Sequence, residues 1–352
     1  MGRHHAPERS GVRDRTAVRM TALVLLGMTL VVIAMIASYS GAFAKPTLHN
    51  MAVVVAGPPQ FVDGVEADDA LTVTEVGDGA AARQRVYERE ADTAFAVDPD
   101  GALTIYVAGG GGRSVAAAAE TVGAAIAAKA GLRPVVEDVA PPSAGDPSGT
   151  VEFYAVIFLS IGASVAATVL GTFMGTVRKP ATLALRTVTL AGYSALLAGG
   201  VTLYVDGILG ALVGHTWQVF GTLWLYSMAV GGAITGVAAA FGSAASLTLT
   251  AFLVIVGNAA AAGPVGRPLL SEFYSTFSTI VPQGAGVSLL RSVVYFGGNG
   301  AQTPLMTLLL WGAAGCLLAT AATAARVNYR AVHEHLGRGR ALLRPRVLSP
   351  AD

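Results

Sequence analysis

"MTALVLLGMTLVVIAMIASYSG", Met20–Gly41, is the stretch whose reading decides the fold. It holds no charged residue, and it is longer than the roughly 20 mostly apolar residues with which a helix crosses a hydrocarbon core. Arg3, Arg9, Arg13, Arg15 and Arg19 precede it, and Ala42-Phe43-Ala44 follows. That small-residue triplet resembles a secretory cleavage site, but the core of a secretory signal spans only about 7–15 residues. A retained membrane helix over residues 20–44 is therefore expected, behind a basic tail at 1–19.

Similar runs recur downstream. "FYAVIFLSIGASVAATVLGTFMGTV" starts at Phe153, and Thr187–Val205 is a third candidate. About Val219–Phe241 and Leu247–Gly263 follow, separated by a short turn near Gly242–Ser246, and Pro304–Ala325 is the last. The reading is a helical membrane protein of six spans, five of them in residues 151–327, with a second basic tail at 328–352. Composition agrees: 13% of residues are charged, against about 25% in soluble domains. A net charge of +1 gives no reason to expect a nucleic-acid partner. The lone Cys316 allows no intrachain disulfide and reads as a small buried hydrophobe. Arg outnumbers Lys, and Ala, Gly and Val dominate, as in bacterial chains encoded at high GC content.

Lys and Arg beside the spans set orientation. The N-terminal tail, the segment holding Arg178, Lys179 and Arg186, and the C-terminal tail are all basic, and six spans put all three on one side. The expectation is a bacterial plasma-membrane protein with both termini cytoplasmic and residues 45–150 outside.

Those residues have ordinary soluble composition. Met51–Gly57 and Leu71–Gly77 read as strands, and Asp78–Asp92 as a helix capped by Asp78. Thr93–Gly109 reads as a hairpin turning at Asp98-Pro99-Asp100-Gly101. A helix over Arg113–Gly131, a strand over Pro134–Val139 and a stiff Pro-rich linker at Ala140–Gly149 complete a small α+β domain. The run Gly109–Gly112 precedes a helix N-terminus but lacks the Lys-Ser/Thr of a phosphate loop, so it reads as a flexible connection. No catalytic constellation, cofactor motif or Walker motif is visible; the chain is expected to be no enzyme. The pair His333 and His335 is a weak metal signal beside a solvated-tail reading.

Polar residues in the spans are few. Asp206, at the outer end of the third span, reads either as a carboxylate facing a substrate path or pairing with Arg291 or His215, or as a helix end at the headgroups. Asn258, mid-span, is the other pathway candidate, with an interhelical hydrogen bond as its plainer reading. Ala163, Ala167, Gly171 and Gly175 form one small-residue face, and Ser227, Gly231 and Thr235, flanked by Gly232 and Gly236, another. Such faces serve contacts between spans or between subunits. Trp217, Trp224 and Tyr226 fit an interfacial aromatic belt.

Before the last span stands "IVPQGAGVSLLRSVVYFGGNG", Ile280–Gly300. With "GDPSG" before the second span and "TPLMTLLLWGAAG" after it, this segment resembles the ABC-2-type permease superfamily, most closely its YhgE/Pip (phage infection protein) and DUF3533 branch. The resemblance covers the chain in architecture and about 40 residues in motif character. It implies a partly re-entrant outer hairpin over residues 264–302, made by Leu269–Ile280 and Gly286–Phe296 and turning at Pro282-Gln283-Gly284. The hairpin, with Pro282, Gly284, Gly286, Arg291, Tyr295 and Phe296 in it, would cap the outer end of a translocation path, and Arg291 would snorkel or meet an acidic partner. It further implies that Thr176–Arg186 couples to a separate ATP-binding subunit in a homodimeric exporter moving an amphiphilic, lipid or drug-like cargo outward. The alternative is a non-transporting receptor or scaffold acting through the outer domain.

Overall fold

The computed structural model describes residues 10–174 and 179–342, with side chains described over 15–174 and 179–329. Arg178 and the outer parts of both basic tails lie outside these residues. So do the side chains of His333 and His335. Five helices are long and apolar enough to cross a membrane: α1 (Ser10–Phe43), α5 (Val151–Met174), α6 (Pro180–Thr202), α7 (Thr216–Phe241) and α11 (Gln302–Leu342). The chain is a helical membrane protein. The expected fifth span is shorter than a spanning helix: α8 (Ser243–Phe252) and a π-helical turn, Leu253–Gly257. The break before it falls where expected, at Gly242, whose φ of 91° disfavours any side chain.

Between α1 and α5 the chain forms a five-stranded sheet: β1 (Met51–Ala56), β2 (Leu71–Glu75), β3 (Thr93–Val97), β4 (Ala102–Val107) and β5 (Arg133–Asp138). Its order is β2-β1-β3-β4-β5, parallel except for the β3–β4 hairpin. Both faces are covered, which is why "AVVVA" does not alternate with polar residues. Val53, Val55, Phe95 and Ile105 pack on one face with Ala116 and Ala119 of α4 (Arg113–Ala130) and Val62 of α2 (Pro59–Glu66). Val54, Ala56 and Ala96 pack on the other with Ala82 and Val86 of α3 (Gly79–Tyr87). Asp78 caps α3, accepting from the Ala81 amide at 2.7 Å. Gly131 ends α4 in the left-handed region with φ 71°. The short α2 is an element the sequence reading missed.

The bundle is built on α7, with α5, α6 and α11 around it. The small-residue faces are consumed here. A Cβ on Gly236 would fall 2.3 Å from the Gly315 carbonyl oxygen, and one on Gly231 would fall 3.0 Å from Leu190. Ala163 and Ala167 are core residues. Gly175 lies outside the described residues; the other members of these faces join spans within one chain.

Three further readings change. Tyr226 leaves the aromatic belt to become a fully buried core residue, while Trp217 is exposed. Cys316 is exposed. Of Thr176–Arg186, expected as a coupling element between spans, residues 176–178 lie outside the described residues and Pro180–Arg186 is the first part of α6, which continues as the span.

Candidate functional site

The hairpin expected before the last span exists, as α9 (Glu272–Ile280) and α10 (Pro282–Tyr295). Its turn is one residue earlier than expected. Val281 is extended (φ −78°, ψ 149°), and Pro282, Gln283 and Gly284 form the first turn of α10. Proline suits that position because it needs no amide partner there. The turn is buried inside the bundle. Gln283 donates to the Leu253 carbonyl at 2.8 Å and to Ser160 Oγ at 3.3 Å. A π-helical turn widens the backbone ladder, and that at Leu253–Gly257 presents this carbonyl beside Gly257, where a Cβ would meet the Gln283 amide at 2.6 Å. Trp311 of α11 donates to the Ile280 carbonyl at 2.8 Å. Gly286 lies against the Tyr226 ring, and a Cβ on Gly284 would fall 1.8 Å from the Ser278 carbonyl oxygen. Both glycines are there for close approach.

The other end of α10 docks on the sheet. Phe296 belongs to the cluster of Val54, Ala56, Ala82 and Val86. The glycine run is its seat rather than a flexible connection. Gly109–Gly111 form a buried 3-10 turn, with the Gly109 amide on Asp138 Oδ1 (3.0 Å) and the Gly110 amide on the Ala140 carbonyl (2.7 Å). A Cβ on Gly110 would lie 2.5 Å from the Tyr295 ring, and one on Gly111 would lie 3.1 Å from Phe296. The linker behind the turn is tied down too: Asp146 Oδ2 accepts from the amides of Thr150 and Val151, each at 2.7 Å, and caps α5.

Two arginines hold this junction. Arg291 does not snorkel, and the acid near it, Glu152, meets it through charge and not through a hydrogen bond. Arg291 is 4% exposed and donates to the carbonyls of Ala262 (3.1 Å), Gly263 (3.1 Å) and Gly149 (3.3 Å), while its Nε has no acceptor. Ala262 is left-handed, φ 54°, where two successive carbonyls face one guanidinium. Glu152 of α5 is fully buried and near enough for its charge to act on Arg291, yet it accepts no hydrogen bond from it. The second is Arg89, itself left-handed at φ 61°. It reaches from the end of α3 to the Ser288 carbonyl (2.8 Å) and Ser292 Oγ (2.5 Å) of α10, with its guanidinium 5.0 Å from the Phe296 ring centre. Burial first, and the Arg291 charge second, pull Arg89 down to about 10, with Asp92 opposing.

Beside the two arginines lies a cavity of 440 Å3 between the sheet and the bundle. Arg89, Arg267, Arg291, Glu90 and Asp92 line its polar part; Ala285 and Val287 of α10 line its floor. Burial raises the Asp92 carboxyl, with the Ala52 amide, Arg267 and Arg89 opposing in that order. Gly284, Gly286, Arg291, Tyr295 and Phe296 are thus all brought to one helix in or beside this site, with Pro282 at its foot.

The other expected residues are elsewhere. Asp206 sits in a π-helical turn (Leu203–Ile208) and accepts from Thr216, not from Arg291 or His215. Asn258 is buried against Tyr39 of α1, with its Oδ1 unpartnered. Lys179 stands before α6. Arg186 is turned inward over Gly171, donating to the Ala167 carbonyl at 3.3 Å, and presents no surface to a partner. Compared with known proteins, the chain matches no family model, no curated protein and no solved structure.

Glu152 and Arg89 were missed. In sequence Glu152 reads as the polar start of a span, and Arg89 as one charge among several in "YEREAD". Only the tertiary fold brings them to α10.

Proposed function

We propose that the chain is the membrane-spanning permease subunit of an exporter. It moves an amphiphilic cargo outward and is driven by a separate ATP-binding subunit, as its resemblance to ABC-2-type permeases implies. The observation that supports this reading is the α9–α10 hairpin, folded back among α5, α7 and α11 with a cavity along it. Non-spanning backbone ends at such depth are tolerated where protein or a wet cavity covers them. Ser160 lies nine residues into α5, which puts the hairpin turn about 13 Å below the start of that helix. The reading places the sheet outside the plasma membrane, both termini in the cytoplasm, and two chains in the working assembly. It takes α8, its π-helical turn and the buried chain to Ala261 as a sixth crossing beside the five long helices.

The driving subunit would meet the connector before α6, where Lys179 stands. Affinity capture from native membranes tests this, with wild type beside an Arg178→Glu/Lys179→Glu variant. An ATPase retained by wild type and lost from the variant is the expected result. If no ATPase is captured even after crosslinking, the permease reading fails, and a receptor acting through the sheet takes its place.

A further inference from the structure

The junction cavity has an excess of cationic groups. Three guanidinium groups and two carboxylates line it. One carboxylate, Glu90, is already paired with Arg85, outside the cavity. The other, Asp92, accepts from the Ala52 amide at 2.9 Å. The charge of Asp92 acts on Arg89 and Arg267 and that of buried Glu152 on Arg291, which leaves three guanidinium groups to two unpaired carboxylates. The hydrogen bonds of Arg89 and Arg291 go to neutral carbonyls and hydroxyls. Arg291 keeps a buried donor, Nε, with no acceptor at all. Buried cations are ordinarily matched by an anion, and a guanidinium fork suits a phosphate. The cavity volume is within the range of small-molecule sites, about 300–1,000 Å3.

The mouth adds a second feature. Its exposed lining residues are Glu90, Arg267, Thr279, Gly300 and Thr303; Glu90 turns to Arg85, and Thr279 and Thr303 mark an opening between α9 and the start of α11. Beyond it those helices carry exposed apolar side chains, Ile280 on α9 and Met306 and Leu310 on α11. A polar, cationic chamber that opens onto an apolar helix surface suits a molecule with a charged head and a hydrocarbon tail.

We infer that this cavity binds the phosphate head of an anionic phospholipid-type amphiphile, with the Arg89, Arg267 and Arg291 guanidinium groups around the phosphate and the acyl tails leaving between α9 and α11. As an identification of the cargo's head this rests on the permease reading. As a binding site it does not, because it needs no ATPase.

The purified full chain in neutral detergent is titrated with fluorescent phosphatidylglycerol, then competed with phosphatidylcholine of the same chains and with inorganic phosphate. Saturable binding displaced by unlabelled phosphatidylglycerol, and hardly by the other two, is expected. Arg89→Gln and Arg267→Gln should each weaken it about tenfold, or 1.4 kcal/mol, and Arg89→Lys should restore part of the loss. Arg267 is exposed, so its variant reads the charge even if Arg89→Gln disturbs the junction. Equal competition by phosphatidylcholine, or wild-type binding by Arg267→Gln, overturns the inference. Inorganic phosphate binding as tightly as the lipid overturns the lipid source. Lipid binding without ATPase capture would sink the permease reading and leave the site intact.

Discussion

Gly284→Ala tests whether the hairpin turn is held by contact. A Cβ there would sit 1.8 Å from the Ser278 carbonyl oxygen, and contacts under 3.0 Å are essentially never seen, so α9 and α10 must separate by at least the 1.2 Å difference. The clash is with backbone, and Gln283 and Trp311 hold the turn from two sides. Overpacking of this kind costs about 1–3 kcal/mol. Alanine returns about 0.5–1 kcal/mol through its better helix propensity. Gly200→Ala isolates that second effect, since a Cβ on Gly200 would meet nothing within 4 Å. With Trp217 and Trp224 replaced by Phe, Trp311 is the last of the chain's 3 tryptophans and reports on the turn itself. Thermal unfolding in mild detergent, followed by its fluorescence, should show Gly284→Ala destabilised and its spectrum changed before unfolding, with Gly200→Ala neutral or stabilised. Equal stability of the two variants would refute the close-approach argument.

Two further outcomes follow from the sheet. Burial raises the Asp92 carboxyl, so the folded chain holds a proton at a pH where the unfolded chain has lost it, and ionisation at neutral pH opposes folding. Asp92→Asn should therefore stabilise the protein at pH 7, with the gain fading as pH falls toward the ordinary carboxylate range. A gain that is constant from pH 7 to 4 in thermal melts would count against this. Asp78→Ala removes the α3 cap and should cost about 1 kcal/mol in denaturant titration. An unchanged midpoint would show that the cap contributes nothing.

Local chemistry made much of this readable. Asp98-Pro99-Asp100-Gly101 announced the β3–β4 hairpin, and Gly101 takes φ 79° there. Gly131 stopped α4 where a left-handed residue was needed. The short helix α2 escaped because eight residues opened by Pro58 and Pro59 give too little helical period to see. The fifth span looked longer than α8 because hydropathy continues past Gly257, through helical Asn258 and Ala259, into a buried turn at Ala260–Ala261. The site was half legible. Proline, glycines and Arg291 marked α10, but Arg89 gave no local sign. Its role depends on a left-handed backbone and a helix about 200 positions away. Gly109–Gly112 was misread for a related reason: absent side chains look like freedom until the rings of Tyr295 and Phe296 are seen to fill the space.

One consequence of α10 is mechanical. Its 14 residues make a rod about 21 Å long, clamped at one end by Gln283 in the bundle and at the other by Phe296 in the sheet. Pivoted at its foot, a tilt of about 10° would swing the far end by about 4 Å. Because that end is embedded in the sheet's core rather than tethered by slack chain, the swing is transmitted to the whole module. A rearrangement among the spans would thus become a displacement of the sheet, and a pull on the sheet would apply torque to the middle of the bundle.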